Sequence, residues 1–134
     1  MAVIDASVWV AYFLPADKFH QTAVKMLKTE IAPDEQIHLP SIATIEVAGV
    51  IRRVTGLRAE AEDAVETMLK LDCKMWDIDT ITLAPAAHAI ASKFGCRGAD
   101  ACYVAVALLT RNSLWTFDKA QAECAQSVVQ VASF

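Results

Sequence analysis

The 134-residue chain is 55% hydrophobic with a formal charge of −4, a pI near 5.3 and a mean hydropathy of +0.35. That length predicts one domain, residues 1–134, with ample material for a core. The acid excess argues against a broad basic footprint for nucleic acid, unless a metal held by clustered acids inverts the local sign. Four glycines and four prolines leave little room for linkers or disorder.

No basic run precedes the first apolar stretch, so no signal peptide is expected. The longest apolar run, ACYVAVALL at 101–109, has nine residues, about half of what spans a bilayer. Cys73, Cys96, Cys102 and Cys124 form no C-x-x-C pair, a spacing that suits neither zinc nor a disulfide scaffold. Four reduced thiols in a cytoplasmic protein are the expectation.

In chain order, residues 2–5 read as a short buried strand. SVWVAYFL (7–14) reads as a short helix with Ser7 as its N-cap, stopped by Pro15. Residues 17–31 carry Phe19, Ala23, Met26 and Leu27 at helical spacing. QIHLP (36–40) is a second strand, after which Ser41 caps a helix that Gly56 ends. Residues 58–72 form a charged surface helix, and KMWDI (74–78) a third strand. A helix over 80–95 follows, ending at Gly95. The helix over 98–112 is apolar nearly all round and should be the most buried. SLWTFD (113–118) is a strand, KAQAECA (119–125) a short helix, and SVVQVA (127–132) a last strand. Short apolar strands alternating with helices predict a three-layer α/β/α fold around a mostly parallel sheet. In such sheets the crevice lies beyond the C-terminal strand ends.

Sixteen acidic residues are present, and most fall on solvated faces, among them Glu60, Glu62, Asp63 and Glu66. Four are placed differently. Asp5 ends the first strand and Asp118 the fourth, each just before a helix. Either can cap that helix or point into the crevice. Asp100 lies in the first turn of the most apolar helix, where a carboxylate is favoured for its own sake. Glu46 lies one turn from both Ile42 and Val50, within the apolar stripe. An unpaired buried carboxylate is costly, so Glu46 needs a partner: a basic side chain such as Arg52 or Arg53, or a cation. The cation is preferred. Oxygen ligands without nearby His or Cys select a hard divalent ion, Mg²⁺ or Mn²⁺, and such a site suits phosphodiester hydrolysis. His20, His38 and His88 match no metal or triad spacing, and Trp9, Phe13, Trp76 and Trp115 are expected in the core or against a partner.

VIDASVWV, ATIEVAGVIRR, GADACYVAVAL and WTFDKA, in that order, resemble a PIN-domain protein, and more narrowly the VapC-type ribonuclease toxins of toxin–antitoxin pairs. The resemblance covers essentially the full chain. It implies that Asp5, Glu46, Asp100 and Asp118 line one catalytic pocket, with Asp5 and Asp100 as the main metal ligands. Glu46 would hold metal directly or through water, and Asp118 would complete the pocket or hold a second ion. Ser7 and Thr116 stand where such proteins place a supporting hydroxyl. The resemblance further implies endonucleolytic RNA cleavage, a homodimer and a cognate antitoxin. Arg97 and Lys119, near the acids in sequence, are the favoured RNA phosphate contacts among Arg52, Arg53, Arg58, Arg97, Arg111 and Lys119.

Three other readings compete. A phosphatase with Asp5 as nucleophile lacks the usual second Asp, since Ser7 stands there. A receiver-like switch lacks an acidic pair near the first strand and a Lys after the last. A catalytically silent PIN module, acting in a protein complex, would not need all four acids.

Overall fold

A computed structural model, describing residues 2–31 and 33–132, centres on four short strands. They are β1 (Ala2–Ile4), β2 (Ile37–Pro40), β3 (Cys73–Trp76) and β4 (Ser113–Trp115). The order is β3-β2-β1-β4 and every pairing is parallel. Val3 faces His38 on one side and Leu114 on the other. Both faces of the sheet are covered, so the strands are apolar runs rather than alternating ones; Val3, Ile4, Leu39 and Leu114 are fully buried.

The helices are α1 (Ala6–Phe13), α2 (His20–Lys25), α3 (Ile42–Thr55), α4 (Arg58–Lys70), α5 (Leu83–Phe94), α6 (Gly98–Thr110) and α7 (Lys119–Ala125). α1 packs on α2 and α3, and α3 on α4. α5 packs on α6, which lies along β1, β2 and β4. Right-handed crossovers put the first group on one face of the sheet and α5 and α6 on the other, which gives the expected three layers. α6 is the deepest element: Ala101 to Ala107 are buried without a break. Among the described residues no helix is long and apolar enough to cross a membrane.

Several boundaries differ from expectation for local reasons. The segment 17–31 divides: Asp17 Oδ1 accepts from the Phe19 amide (2.8 Å), α2 starts at His20, and Met26–Glu30 winds as a π-helix. There the Thr29 hydroxyl donates to the Lys25 carbonyl (2.7 Å), competing with the α-helical ladder. α5 begins at Leu83 because Asp79 accepts from the amides of Thr82 and Leu83. Ser41 precedes α3 without a side-chain capping bond. The expected strand 127–132 reduces to one parallel bridge, Leu114 to Val131. The amides of Val128 and Val129 both turn back to Ala125 O, so the end of α7 consumes residues that a strand would need.

The cysteine expectation is corrected. Cys96 and Cys124 form a disulfide with Cα atoms 5.6 Å apart, while Cys73 and Cys102 are free. The two lie 28 residues apart in sequence, and only the return of β4 beside β1 brings them together.

That return also defines the crevice. β2 and β3 follow β1 on one side, and β4 fills the other side last. The order therefore reverses between β1 and β4, and such a switch point opens a cleft at the strands' C-terminal ends.

Candidate active site

Asp5 leaves β1 at that switch point and is 5% exposed. It has extended backbone and caps α1: Oδ2 accepts from the Ser7 amide (2.9 Å) and from Thr116 Oγ1 (3.2 Å). The cap is thus Asp5 and not Ser7. Ser7 instead reaches across to β4, where Oγ accepts from the Phe117 amide (3.0 Å) and lies 3.3 Å from Thr116 Oγ1. Thr116 Oγ1 also accepts from the Asp118 amide (3.0 Å). Two hydroxyls therefore lock the end of β1 to the end of β4, a junction that fixes the first and last acids relative to each other.

Asp118 caps α7 through Oδ1, which accepts from the Gln121 amide (3.1 Å). Its Oδ2 accepts from Arg97 Nη2 (2.9 Å), and the same guanidinium donates from Nε to Asp100 Oδ2 (3.0 Å). Asp100 sits in the first turn of α6 with its side chain only 15% exposed. Arg97, expected to be open to RNA phosphate, spends both arms of its fork on these acids. Lys119 is exposed at the first position of α7.

Glu46 enters from α3. The helix buries Ala43, Val47 and Ile51, so Glu46 stands at the edge of the core stripe rather than within it, half-buried with Ile42 and Val50. Its Oε1 is nevertheless buried without a hydrogen-bond partner, as is the Tyr103 hydroxyl beside it. Arg52 and Arg53 are exposed, and neither is paired with Glu46.

The electrostatics tie the four acids together. Burial pushes the Glu46 carboxyl up from the ordinary carboxylate range; Tyr103 opposes this, while Asp5 and Asp100 push further upward and Arg97 restrains the rise. Burial also raises Asp100, against the hydrogen bond and charge of Arg97 and with the charges of Asp5 and Asp118. Repulsion between neighbouring carboxylates is a recognised route to such shifts.

Both folded values lie above the unfolded ones. Their contribution to stability is therefore full below the unfolded carboxylate range, about pH 4, and is lost as pH rises through the raised folded values. Metal-free protein should melt higher at mildly acid pH than at neutral pH, and Glu46→Gln should flatten that slope. Thermal melts across the range check it; an unchanged slope in Glu46→Gln would rule out Glu46 as a source.

As the side chains stand, no three His, Cys, Asp or Glu among the described residues converge on a metal position; Arg97 holds the space between Asp100 and Asp118. The donor chemistry still fits a hard divalent ion, being oxygen only and including the buried, unpartnered Glu46 Oε1.

A PIN-domain family model matches residues 2–126. The chain belongs to the PIN-domain family. A search of curated proteins returns no match. Among solved structures, this PIN domain resembles VapC20 of Mycobacterium tuberculosis, a sarcin–ricin-loop-cleaving toxin, at 19% identity and a TM-score of 0.79, covering 99% of this chain and 100% of that one. VapBC2 of Rickettsia felis, solved on a promoter DNA fragment, matches at 10% identity and 0.71, covering 98% and 96%. FitAcB of Neisseria gonorrhoeae matches at 19% and 0.66, covering 99% and 97%. At these identities the likeness is one of fold.

Sequence reasoning missed Tyr103 and the Cys96–Cys124 pair. Tyr103 had a readable signal: it lies three residues after Asp100 in a helix, hence on the same face one turn on, and it is a polar-tipped residue in an otherwise apolar run.

Proposed function

We propose that this PIN domain is a Mg²⁺- or Mn²⁺-dependent endoribonuclease that hydrolyses RNA phosphodiester bonds, and that it acts in the cytoplasm as the toxin of a toxin–antitoxin pair. The observation that carries the reading is the gathering of Asp5, Glu46, Asp100 and Asp118 into one electrostatic neighbourhood at the switch point. PIN membership and the fold shared with VapC structures support it. A cognate antitoxin and a homodimer belong to the same reading.

Asp5, Glu46 and Asp100 would hold the ion, with Asp118 closing the pocket. Bound there, a divalent ion supplies an acidified water as nucleophile and neutralises charge on the phosphate. The chain's own part is positional. Ser7 and Thr116 keep Asp5 and Asp118 in register across β1 and β4. Glu46, whose Oε1 is buried without a hydrogen-bond partner, would meet the ion directly or orient a water beside it. Arg97 swings from acid to phosphate as positive charge arrives, and Lys119 extends that cationic rim along the RNA backbone.

The test is cleavage of a pool of structured RNAs by antitoxin-free protein in Mn²⁺, with EDTA and Asp100→Asn as parallel controls. Discrete products that vanish in both controls are expected. Cleavage as fast in Asp100→Asn as in wild type would refute the assignment. Saturating Mn²⁺ should also raise the melting temperature, because the ion binds the folded state alone; an unchanged melt would count against a formed site.

A further inference from the structure

The cysteine pair stands at the site. Cys96 immediately precedes Arg97 and lies two residues before α6 begins at Gly98. Cys124 lies in α7, whose N-cap is Asp118. The disulfide and the Arg97 fork are therefore two cross-links between the same two segments, one covalent and one ionic. Beyond them α6 and α7 touch sparingly. We propose that Cys96 and Cys124 are a redox-modification site, whose oxidation staples the segment carrying Arg97 and Asp100 to the helix capped by Asp118 and whose reduction releases it.

The Cα separation of 5.6 Å lies within the span that a disulfide bridges without moving backbone. In a reducing compartment such a bond is transient and senses redox state, rather than serving as a permanent brace. Access is asymmetric: Cys96 is buried and Cys124 partly exposed. The thiolate of a dithiol reductant attacks Cys124 Sγ, the Cys96–Cys124 bond breaks, and Cys96 leaves as a thiolate that takes up a proton. The reductant's second thiolate then closes on its first sulfur and expels Cys124. Two electrons and two protons pass to the pair, and the reductant leaves as its own disulfide. A small-molecule disulfide of the glutathione type runs the reverse. The other thiols stand aside: burial raises both, Cys73 to about 11, which leaves little thiolate for exchange.

Part of the consequence rests on the ribonuclease reading: a stapled site presents its acids with less freedom to lose, so oxidised protein should bind Mn²⁺ several-fold more tightly. The staple itself is tested without that reading. Wild-type protein is equilibrated in glutathione disulfide or in dithiothreitol, exchange is quenched with acid, free thiols are counted by alkylation in denaturant and mass spectrometry, and amide exchange is followed separately without metal. Two alkylated cysteines are expected when oxidised and four when reduced, with faster exchange on reduction concentrated in 95–101 and 118–125. Cys124→Ser, left with three cysteines, should exchange those segments as fast as reduced wild type under both conditions. Four reactive thiols in the oxidising buffer, or equal exchange of those segments in both states, would overturn the proposal. Calorimetric titration with Mn²⁺ separates the two readings. Redox-dependent exchange in a protein that neither binds Mn²⁺ nor cleaves RNA leaves the staple standing and refutes the nuclease.

Discussion

Asp5→Asn should lower Mn²⁺-dependent RNA cleavage by about two orders of magnitude or more, while leaving the fold intact. Asp5 does two things at once: it caps α1 through the Ser7 amide and lies in the field of Glu46 and Asp100. Asparagine caps a helix about as well as aspartate, so the substitution removes the charge and keeps the cap. Losing one charge-stabilising group typically costs ~10²–10³ in rate. Stability should change by less than ~0.5 kcal/mol, because a surviving cap and reduced repulsion act in the same direction. Asp5→Ala, by contrast, loses cap and charge together and should cost about 1 kcal/mol of stability as well. Single-turnover cleavage and urea melts on both variants give the comparison. If Asp5→Asn cuts RNA like wild type, Asp5 is a helix cap and nothing more.

The largest stability effect is expected at Trp9. Its side chain is fully buried in α1 and stacks on Phe13 with ring centroids 6.4 Å apart. Trp9→Ala should cost ~3–5 kcal/mol, the range for emptying a large aromatic site, which is roughly a fifth or more of the ~5–15 kcal/mol of a typical domain. Yet Trp9 Nε1 has no hydrogen-bond partner. Trp9→Phe removes that orphan donor along with part of the ring, so part of the lost packing is offset. The phenylalanine variant should therefore fall well short of half the alanine penalty. Denaturant unfolding measures both, and similar losses would mean that the indole finds a partner in solution.

How far this architecture was legible depended on the range of the interaction. The strands and most helices were readable because apolar runs and caps are local, and the parallel layering followed from their alternation. The order of the four acids was readable too, since each sits beside an element whose type was clear. What stayed hidden is tertiary. Ser7 looked like a cap because a hydroxyl before a helix usually is one, whereas the fold spends it on Phe117, 110 residues away. Arg97 has a local partner in Asp100, three residues on, but its second partner, Asp118, arrives only when β4 returns to β1. The segment 127–132 has strand-like residues, but the turn closing α7 leaves a single bridge. No spacing rule joins Cys96 to Cys124, and no periodicity marks the Thr29 hydroxyl that accompanies the π-turn.

The pairing of β4, the last strand in the chain, with β1, the first, also has a timetable. Asp5 and Glu46 emerge early in synthesis, and Asp118 follows Glu46 by 72 residues (118 less 46). At roughly 5–20 residues per second, the growing chain spends several seconds with half a site. Until β4 pairs with β1, the hydroxyl junction of Ser7 and Thr116 does not exist, and such distant pairings form late. The four acids can therefore be held together only after Asp118 has been made and β4 has docked on β1.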